Sequence, residues 1–481
     1  MKEWVDYALE VMSSLNIDYG DARLRGTDME FVRTYNDVLK NVRNNKELGI
    51  GIRILLDGRW GFAATPYLTK DKIAETVKKA AGIAKAASRV EQKPIILTND
   101  KPVVDTYRTK IEKNPFEVSL SKKADTLFEV YNKASKVDKV KKVDGFMYFQ
   151  KIHQFFKSTE GADLENEVYI SGAAYEITAV GENDFQTRNY QMFPKAKGYE
   201  WIEEQPIVEN AEKLAEDAVK KLEAKKGPSG KKDLILMPSH LALTIHESVG
   251  HPTELDRVLG WEANFAGTSF ATTEKLNNFQ YGSKVVNFVA DNTLEEAIGT
   301  WGFDDDGIPG KRWHIVKDGI LINYGTTRET AHYIGKEESM GCNRADSYAS
   351  QPINRIPNLS LMPGKEKLSL DELIADTKDG VLIDGRGSYS IDQRRYNFQF
   401  GGDMFYEIKN GKITQPLKDV TYQSITPDFW NSCDAICDEN HWELYGVLNC
   451  GKGEPGQRMQ MSHGAAPARF RDIELGGAFN G

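Results

Sequence analysis

The spacing of hydrophobic residues divides the first half of the chain into helices and strands. Helical spacing of apolar side chains marks four segments, at residues 2–16, 70–87, 115–136 and 209–225. Between the first two segments the period changes to two, because Ile50, Ile52 and Ile54 alternate with small or polar neighbours. Asp57-Gly58 is a turn signal. We therefore predict a β-hairpin over residues 50–64.

Other extended segments in this half are short and separated by polar residues. Short strands are predicted at residues 22–24, 30–35, 38–42 and 49–55, with further antiparallel strands between residues 140 and 180. Strands that follow one another directly favour antiparallel pairing, and the helices between them add an α/β character. The first part is thus expected to be an α/β (α+β) domain with an antiparallel-rich sheet, covering residues 1–226.

The second half has few helical signals and many short strands with glycine-containing turns. Lys317-Asp318-Gly319 and Lys409-Asn410-Gly411 each separate two apolar runs, which is the pattern of a tight hairpin. The segment GPSGKK at residues 227–232 has the composition of a domain boundary. We therefore predict a second domain over residues 233–481 that is β-rich and sandwich-like or barrel-like.

The most informative stretch of the sequence lies between Asp233 and Asp256. Leu234 to Met237 is typical of a buried strand, and Pro238-Ser239 supplies a break followed by an N-cap. A short apolar helix from His240 then leads into His246-Glu247. This segment is predicted to be a strand followed by a helix whose end carries the chemistry.

The spacing H-E-x-x-x-H differs by one residue from the zincin motif H-E-x-x-H, in which two histidines share one helical face. On a regular α-helix, residues i and i+5 point about 140° apart, so both side chains would not reach one ion. Gly250 and Pro252 flank His251 and permit a helix to stop. We expect the helix to bend or end after His246, with His251 folding back from a loop.

A catalytic zinc site usually has three protein ligands and one open position, so two histidines leave one ligand to be found. The run YGVLNCGKG at residues 445–453 holds Cys450 between small residues that let the backbone approach an ion. HESVGH followed by NCGKG resembles the TldD/PmbA family of metallopeptidases, whose members are also described as modulators of DNA gyrase. The resemblance extends to residues 49–65, 303–310 and 343–364, and so covers nearly the whole chain.

This resemblance implies a site and a function. It implies that His246, His251 and Cys450 bind Zn²⁺ and that Glu247 is the general base, on the catalytic TldD-like side of the family. It also implies a β-rich C-terminal domain, unstructured peptides or short protein segments as substrates, and a homodimer or a heterodimer with a PmbA-like subunit. An edge strand pairing with the substrate backbone would give weak side-chain selectivity. The alternative function is a metal-stabilised, non-catalytic binding subunit of such a complex.

Several nearby residues have open roles. Glu254 and Asp256 follow His251 closely, and each is either a group that orients a ligand imidazole or a solvated charge. His463 either approaches the site, where it would stabilise an oxyanion, or lies on the surface. Cys433 and Cys437 would share a face at helical spacing, either as two small buried residues or as a second metal or redox site. Tyr324, Arg344 and Arg355 are candidates for lining a peptide groove.

Composition narrows the cellular context. The 481 residues suffice for two or three domains, and four cysteines are few enough to indicate a reducing compartment. No apolar run approaches the roughly 20 residues that cross a bilayer, and the N-terminus lacks a signal-peptide pattern. A net charge of -9 disfavours direct nucleic-acid binding. The sequence predicts a cytoplasmic protein without membrane or nucleic-acid partners.

Overall fold

The first part of the chain is built on one long sheet with helices against it. The computed structural model describes residues 1–89 and 93–476. The strands of this sheet are β1 (Tyr19–Tyr35), β2 (Val38–Leu56), β3 (Arg59–Thr65), β4 (Val104–Arg108), β5 (Val140–Ser158), β6 (Asp163–Val180) and β7 (Phe185–Lys195). The helices are α1 (Lys2–Ser13), α2 (Lys70–Ala87), α3 (Leu120–Ala134), α4 (Glu200–Glu203) and α5 (Ala211–Glu223). The strand order is β3-β2-β1-β5-β6-β4, and β7 also pairs with β6.

All pairs in this sheet are antiparallel except β4 with β6. The predicted α/β character with an antiparallel-rich sheet is confirmed, and so are the four long helical segments and the hairpin at Asp57-Gly58. The prediction of several short strands before residue 56 was wrong, because β1 and β2 are continuous through their polar middles. Those middles carry polar side chains because they are not covered by the helices.

The two faces of the first sheet have different surroundings. The buried residues of α1 and α2 pack on Leu24, Ile52 and their neighbours, and those of α3 and α5 pack on β5 and β6. Successive side chains of a strand point to opposite faces. The alternate residues Arg25, Thr27 and Met29 of β1 consequently face a large cavity instead of the helices.

The second part of the chain has many more strands than helices. Its strands are β8 (Lys225–Lys226), β9 (Gly230–Leu236), β10 (Phe288–Asp291), β11 (Arg312–Lys317), β12 (Ile320–Leu321), β13 (Asn343–Arg344), β14 (Ile353–Asn354), β15 (Leu359–Leu361), β16 (Asp379–Asp384), β17 (Tyr389–Ile391), β18 (Asn397–Gly401), β19 (Met404–Lys409), β20 (Lys412–Lys418), β21 (Thr421–Ile425), β22 (Cys433–Ile436), β23 (Glu443–Lys452), β24 (Gln457–Ala465) and β25 (Ala468–Leu475). Its helices are α6 (Pro238–Ile245), α7 (Leu255–Val258), α8 (Ala263–Ala266), α9 (Leu370–Ala375) and α10 (Thr426–Asn431).

A ten-stranded sheet organises this part, with the path β17-β18-β21-β25-β9-β16-β19-β20-β8 and β22 beside β25. Four strands form a second sheet in the order β12-β11-β10-β15, and β23 pairs with β24. The largest hydrophobic core of the protein lies against these sheets. The predicted β-rich second part is confirmed, as are its hairpins at Asp318-Gly319 and Asn410-Gly411, where all four residues have positive φ.

Buried ion pairs join the two parts. The guanidinium of Arg53 on β2 binds Asp306 of the second part at 2.9 Å, and Arg23 on β1 binds Asp305 at 3.0 Å. Asp21 on β1 also binds Arg53, at 2.7 Å, within the first sheet. The chain leaves the first sheet after α5 and joins the ten-stranded sheet at β8. The division into domains 1–226 and 233–481 stays a proposal, and β8 together with the first residues of β9 already belongs to the ten-stranded sheet. No helix among the residues described is both long and apolar enough to span a bilayer.

Candidate metal centre

The two motif histidines are brought together by a change of helix type. The α-helix α6 ends at Ile245, and residues His246–Gly250 continue it as a π-helical turn. The backbone N–H of His251 donates to the carbonyl of His246, which is the i to i+5 bond of a π-helix. The regular α-helix ends at this point, as expected, with His246 as its C-cap. The expectation that His251 folds back from a loop was wrong, since the wider turn takes up the extra residue and His251 begins a 3₁₀ turn (His251–Thr253).

The wider turn places the two imidazole rings on the same side. Their centroids lie 4.8 Å apart with the ring planes at 80°. Both side chains are almost fully buried, and both line the wall of the same cavity. One residue inserted into the zincin spacing therefore still yields two histidines that face one point.

Cys450 reaches this point from the other end of the chain. It lies on β23, at an irregularity in the pairing with β24 between Val447 and Cys450. Its Sγ is 3.6 Å from Nε2 of His251, and one ligand atom from each of the three residues lies within 4.8 Å of the others. Arg355 donates from Nη2 to the carbonyl of Cys450 at 2.5 Å and so fixes the strand at this residue.

The hydrogen-bond partners of His246 define which of its nitrogens is free. Nδ1 of His463 lies 3.0 Å from the carbonyl oxygen of Leu359, which can only accept, so this nitrogen carries the proton. Nε2 of neutral His463 is then an acceptor, and it lies 2.8 Å from Nδ1 of His246. Nδ1 of His246 must donate to it, and Nε2 of His246 keeps a lone pair for a metal.

A carboxylate fixes the position of the proton on His251 as well. Nδ1 of His251 lies 2.8 Å from Oε2 of Glu254, so it donates to that oxygen and leaves Nε2 as the lone-pair nitrogen. Each imidazole therefore presents a bare Nε2. This arrangement is the one in which metal-binding histidines are usually held, and it answers the question left open for Glu254 in favour of an orienting role.

Burial keeps the imidazoles neutral. It lowers the pKa of His246 to about 4 and that of His251 well below its ordinary value. Burial alone would raise the pKa of the Cys450 thiol, but charge interactions, including that with the guanidinium of Arg355, outweigh it and lower that pKa. Two neutral imidazoles and a thiol that ionises readily are the donor set that fits a transition metal with affinity for nitrogen and sulfur.

Glu247 lines the cavity beside the two histidines. Its carboxylate Oε2 accepts a hydrogen bond from Nη1 of Arg395, which also forms an ion pair with it. Arg395 was not singled out in the sequence, because it lies in a polar turn, QRRYN, that matches no catalytic motif. Only the fold brings this turn over the helix end.

A fully buried lysine lies behind His251. Nζ of Lys452 is 2.7 Å from Asp256, 3.2 Å from Glu254 and 3.6 Å from Glu262. Lys452 follows Cys450 by two positions on β23. It therefore connects the strand that carries the cysteine to the carboxylate that holds His251. Burial is the main cause that raises the pKa of Asp256 to about 6, against the attraction of Lys452.

The remaining candidates have structural positions away from the cavity. His463 is buried behind His246, and neither an oxyanion contact nor a surface position describes it. Cys433 starts strand β22, so the helical spacing expected for it and Cys437 was wrong, and both are buried free thiols. Tyr324 donates to the carbonyls of Ala271 and Thr272 inside the core. Arg344, like Arg355, donates to backbone carbonyls and does not line the cavity.

The cavity in front of the three candidate ligand residues has a volume of about 1640 Å³. One wall is the exposed face of the first sheet, and the opposite wall carries His246, Glu247, His251 and Cys450. The terminal strand β17 of the ten-stranded sheet and part of β23 form its sides. The volume exceeds the 300–1,000 Å³ typical of small-molecule sites and suits a longer ligand.

Two domain families match this chain. The PmbA/TldA metallopeptidase C-terminal domain matches residues 229–477, and metallopeptidase domain 1 of the same group matches residues 20–84. The first of these matches alone covers more than half of the chain. It includes every residue of the candidate metal centre.

Similar full-length proteins carry related names. A metalloprotease of Methanocaldococcus jannaschii is 29% identical over 94% of this chain and 96% of its own length. A zinc metalloprotease TldD homolog of Saccharolobus solfataricus is 23% identical over 92% of this chain and 93% of its own. In fold, the chain is similar to a candidate modulator of DNA gyrase from Thermotoga maritima, with a TM-score of 0.78 at 18% identity over 99% of this chain and 100% of that one. TldE from Thermococcus kodakarensis gives a TM-score of 0.74 at 15% identity over the same shares.

Proposed function

The chain belongs to the PmbA/TldD family of metallopeptidases, and from this premise we propose that it is a zinc-dependent peptidase acting on extended peptides. His246, His251 and Cys450 hold the metal, and Glu247 is the general base. The observation that carries the proposal is the convergence of three ligand atoms within 4.8 Å, beside a glutamate, on the wall of one cavity.

The donor set supports zinc in particular. Imidazole nitrogen and thiolate sulfur are ordinary zinc ligands, and three protein ligands leave the fourth position open toward the cavity. Bound there, zinc would supply a Lewis acid that polarises a peptide carbonyl and makes water acidic enough to attack it. Glu254 and His463 hold the imidazoles with Nε2 outward, so the site needs little rearrangement to take up the ion.

The chain's own residues handle the proton. Glu247 accepts a proton from the attacking water and delivers it to the amine that leaves when the C–N bond breaks. Its ion pair with Arg395 holds the carboxylate in one orientation at the cavity wall. Burial of His246, Glu247 and His251 lowers the local dielectric and so strengthens these electrostatic contacts.

The shape of the cavity favours an unfolded segment over a folded substrate. A volume of about 1640 Å³ accommodates several residues of an extended chain. Within the described part of the chain, strand β17 pairs with β18 alone, and it lines the cavity. Its other edge is therefore available for backbone hydrogen bonds to a substrate strand. Such pairing gives weak selectivity for side chains. Peptides N-methylated at alternate positions test it, because unchanged cleavage of them would contradict backbone pairing.

Metal analysis combined with a mixed peptide library tests the central proposal. The purified protein should contain one zinc per chain and cleave peptides, and Cys450→Ala should lose zinc. Cys433→Ala, which removes an equally buried thiol elsewhere, serves as the matched control and should retain both. Glu247→Gln should keep zinc and lose cleavage. A wild-type protein that holds zinc but cleaves nothing would instead support the non-catalytic binding subunit.

Assembly is proposed from the family alone. We expect a homodimer, or a heterodimer with a PmbA-like subunit, that encloses the cavity. Light scattering of the chain alone and mixed with such a subunit distinguishes the two, and a monomer in both samples would contradict the proposal.

A further inference from the structure

Arg395 occupies a conformation that arginine rarely adopts. It lies in the turn between β17 and β18 with a φ of 61°, in the left-handed region. A bulky residue with positive φ is uncommon outside turns that require it, and such strain concentrates at functional sites. The position therefore calls for a reason beyond making the turn.

The turn is held from several directions. The carboxylate of Asp392 accepts hydrogen bonds from the backbone N–H groups of Tyr396 and Asn397. Thr426 donates from its hydroxyl to the carbonyl of Arg395 at 2.9 Å. From below, the buried Arg257 donates to the carbonyl of Gln393 at 2.8 Å. Arg257 lies in the segment that directly follows His251, so the metal-ligand segment and the Arg395 turn are fixed to each other.

The guanidinium of Arg395 is aimed into the site and only partly used. Nη1 donates to Glu247, and the side chain lines the cavity with 14% of its surface exposed. Nε is buried and finds no acceptor among residues 1–89 and 93–476. In the same ranges no acceptor is bonded to Nη2 either.

We propose that Arg395 is a catalytic residue that donates a hydrogen bond from Nη2 to the oxygen of the scissile carbonyl as negative charge develops on it. This inference rests on the proposed peptidase function and assigns the oxyanion contact of that reaction to this chain. A fixed cation with an unused donor, at the same wall as the general base, is what such a contact requires.

The step balances within the residues already named. Water adds through its oxygen to the carbonyl carbon, its proton passes to Glu247, and the electron pair of the C=O bond moves to the oxygen that faces Arg395. When the electron pair returns, the C–N bond breaks and the proton on Glu247 passes to the leaving amine. Arg395 stays protonated throughout and exchanges no proton.

Two substitutions distinguish a hydrogen bond from Arg395 to the substrate oxygen from a role of Arg395 in orienting Glu247. Arg395→Lys keeps a cation beside Glu247 but lacks a second terminal nitrogen, and Arg395→Met removes both. Arg394→Met is the matched control, because its exposed side chain loses the same charge from the same turn without lining the cavity. All four proteins are loaded with zinc, checked for metal content and melting temperature, and assayed for kcat and KM on the best peptide from the library.

We expect kcat to fall about 10²- to 10³-fold in Arg395→Met, with KM and zinc content near wild type. Arg395→Lys should lose most of this factor as well, while Arg394→Met should keep wild-type kcat. Added guanidinium ion should restore part of the activity of Arg395→Met and leave the other proteins unchanged. In Arg395→Met, binding of a phosphinic peptide, which mimics the oxygens of the tetrahedral intermediate, should weaken greatly. Binding of a substrate-like peptide that is N-methylated and not cleaved should weaken far less.

An unchanged kcat in Arg395→Met would overturn the inference, and a raised kcat would do so by identifying the Arg395–Glu247 pair as a latch. Full activity in Arg395→Lys would reduce Arg395 to a positioning residue for Glu247 and also overturn it. Equal weakening of both ligands would contradict an oxyanion contact. Failure of the wild type to cleave any peptide would refute the proposed peptidase function itself. An active wild type together with equally active Arg395 variants would refute only the role of Arg395.

Discussion

Replacing Lys452 by methionine should disturb the metal centre without touching a ligand. Lys452 is completely buried and shares its charge among Asp256, Glu254 and Glu262 at 2.7, 3.2 and 3.6 Å. Methionine fills a similar volume and carries no charge. The variant therefore leaves the packing nearly intact and removes the cation from beneath three carboxylates.

The loss of stability in Lys452→Met follows from the carboxylates that are left without a cation. Glu262 keeps Arg257 at 2.8 Å, but Glu254 and Asp256 lose their only ion-pair partner among the residues described. Removing one member of a buried pair typically costs about 3–5 kcal/mol, because the other charge stays uncompensated. We expect the apo protein to lose this much free energy of unfolding, which is a third or more of the stability of many domains.

The same change should weaken metal binding. Without Lys452, Glu254 is no longer held where it accepts the proton of His251 Nδ1, and loss of such a support typically reduces metal affinity 10- to 100-fold. Competition with a chromophoric chelator measures the affinity, and urea unfolding in a chelating buffer measures the stability. Lys409→Met, which removes an exposed lysine paired with Asp379, is the matched control and should change stability by less than about 1 kcal/mol.

Unaltered zinc affinity in a folded Lys452→Met protein would refute the coupling of Lys452 to His251 through Glu254. Unaltered stability would show that the three carboxylates do not depend on the lysine. Either result would remove the connection that we draw between β23 and the helix end.

Three further predictions concern the centre and its surroundings. His463→Phe should fold yet bind zinc at least about 10-fold more weakly, measured by the same competition, because Nδ1 of His246 loses its acceptor. Chelation should lower the melting temperature, since zinc at 1,000 times its Kd contributes about 4 kcal/mol, and a melting temperature insensitive to chelator would contradict a folded-state site. Burial raises the pKa of Glu329 to about 7, so its ionisation in the folded state opposes stability, which should fall by up to roughly 3 kcal/mol as pH rises from about 4.5 to 7. Glu329→Gln should remove that fall, and parallel pH–stability curves for both proteins would refute it.

The helices and hairpins were predictable because their signals are local. The apolar period fixes α2, and Asp57-Gly58 fixes the β2–β3 turn at positions where positive φ is needed. The length of β1 was not predictable, since its polar middle faces a cavity that exists only after the second domain has packed. A prediction based on the alternation of apolar and polar residues ends the strand at these polar positions.

In the candidate metal centre, too, the features with local signals were predictable and those that depend on distant contacts were not. The pair His246 and His251 was visible from spacing, but the π-helical turn was not, because no single residue in SVG requires it. The position of Cys450 depends on a contact spanning 199 residues, for which the family resemblance was the only signal. Lys452 could have been found, since residues i and i+2 of a strand share a face, whereas Arg395 has no sequence signature at all.

The imidazoles of His246 and His251 donate hydrogen bonds to different kinds of acceptor. Behind His251 stands an anionic carboxylate, and behind His246 stands a neutral ring whose own proton is committed to the Leu359 carbonyl. A hydrogen bond to an anion makes the opposite nitrogen a stronger base than one to a neutral acceptor does. A metal held at this site would therefore be bound more firmly by His251 than by His246, and we expect its exchange with solution to begin by release from His246.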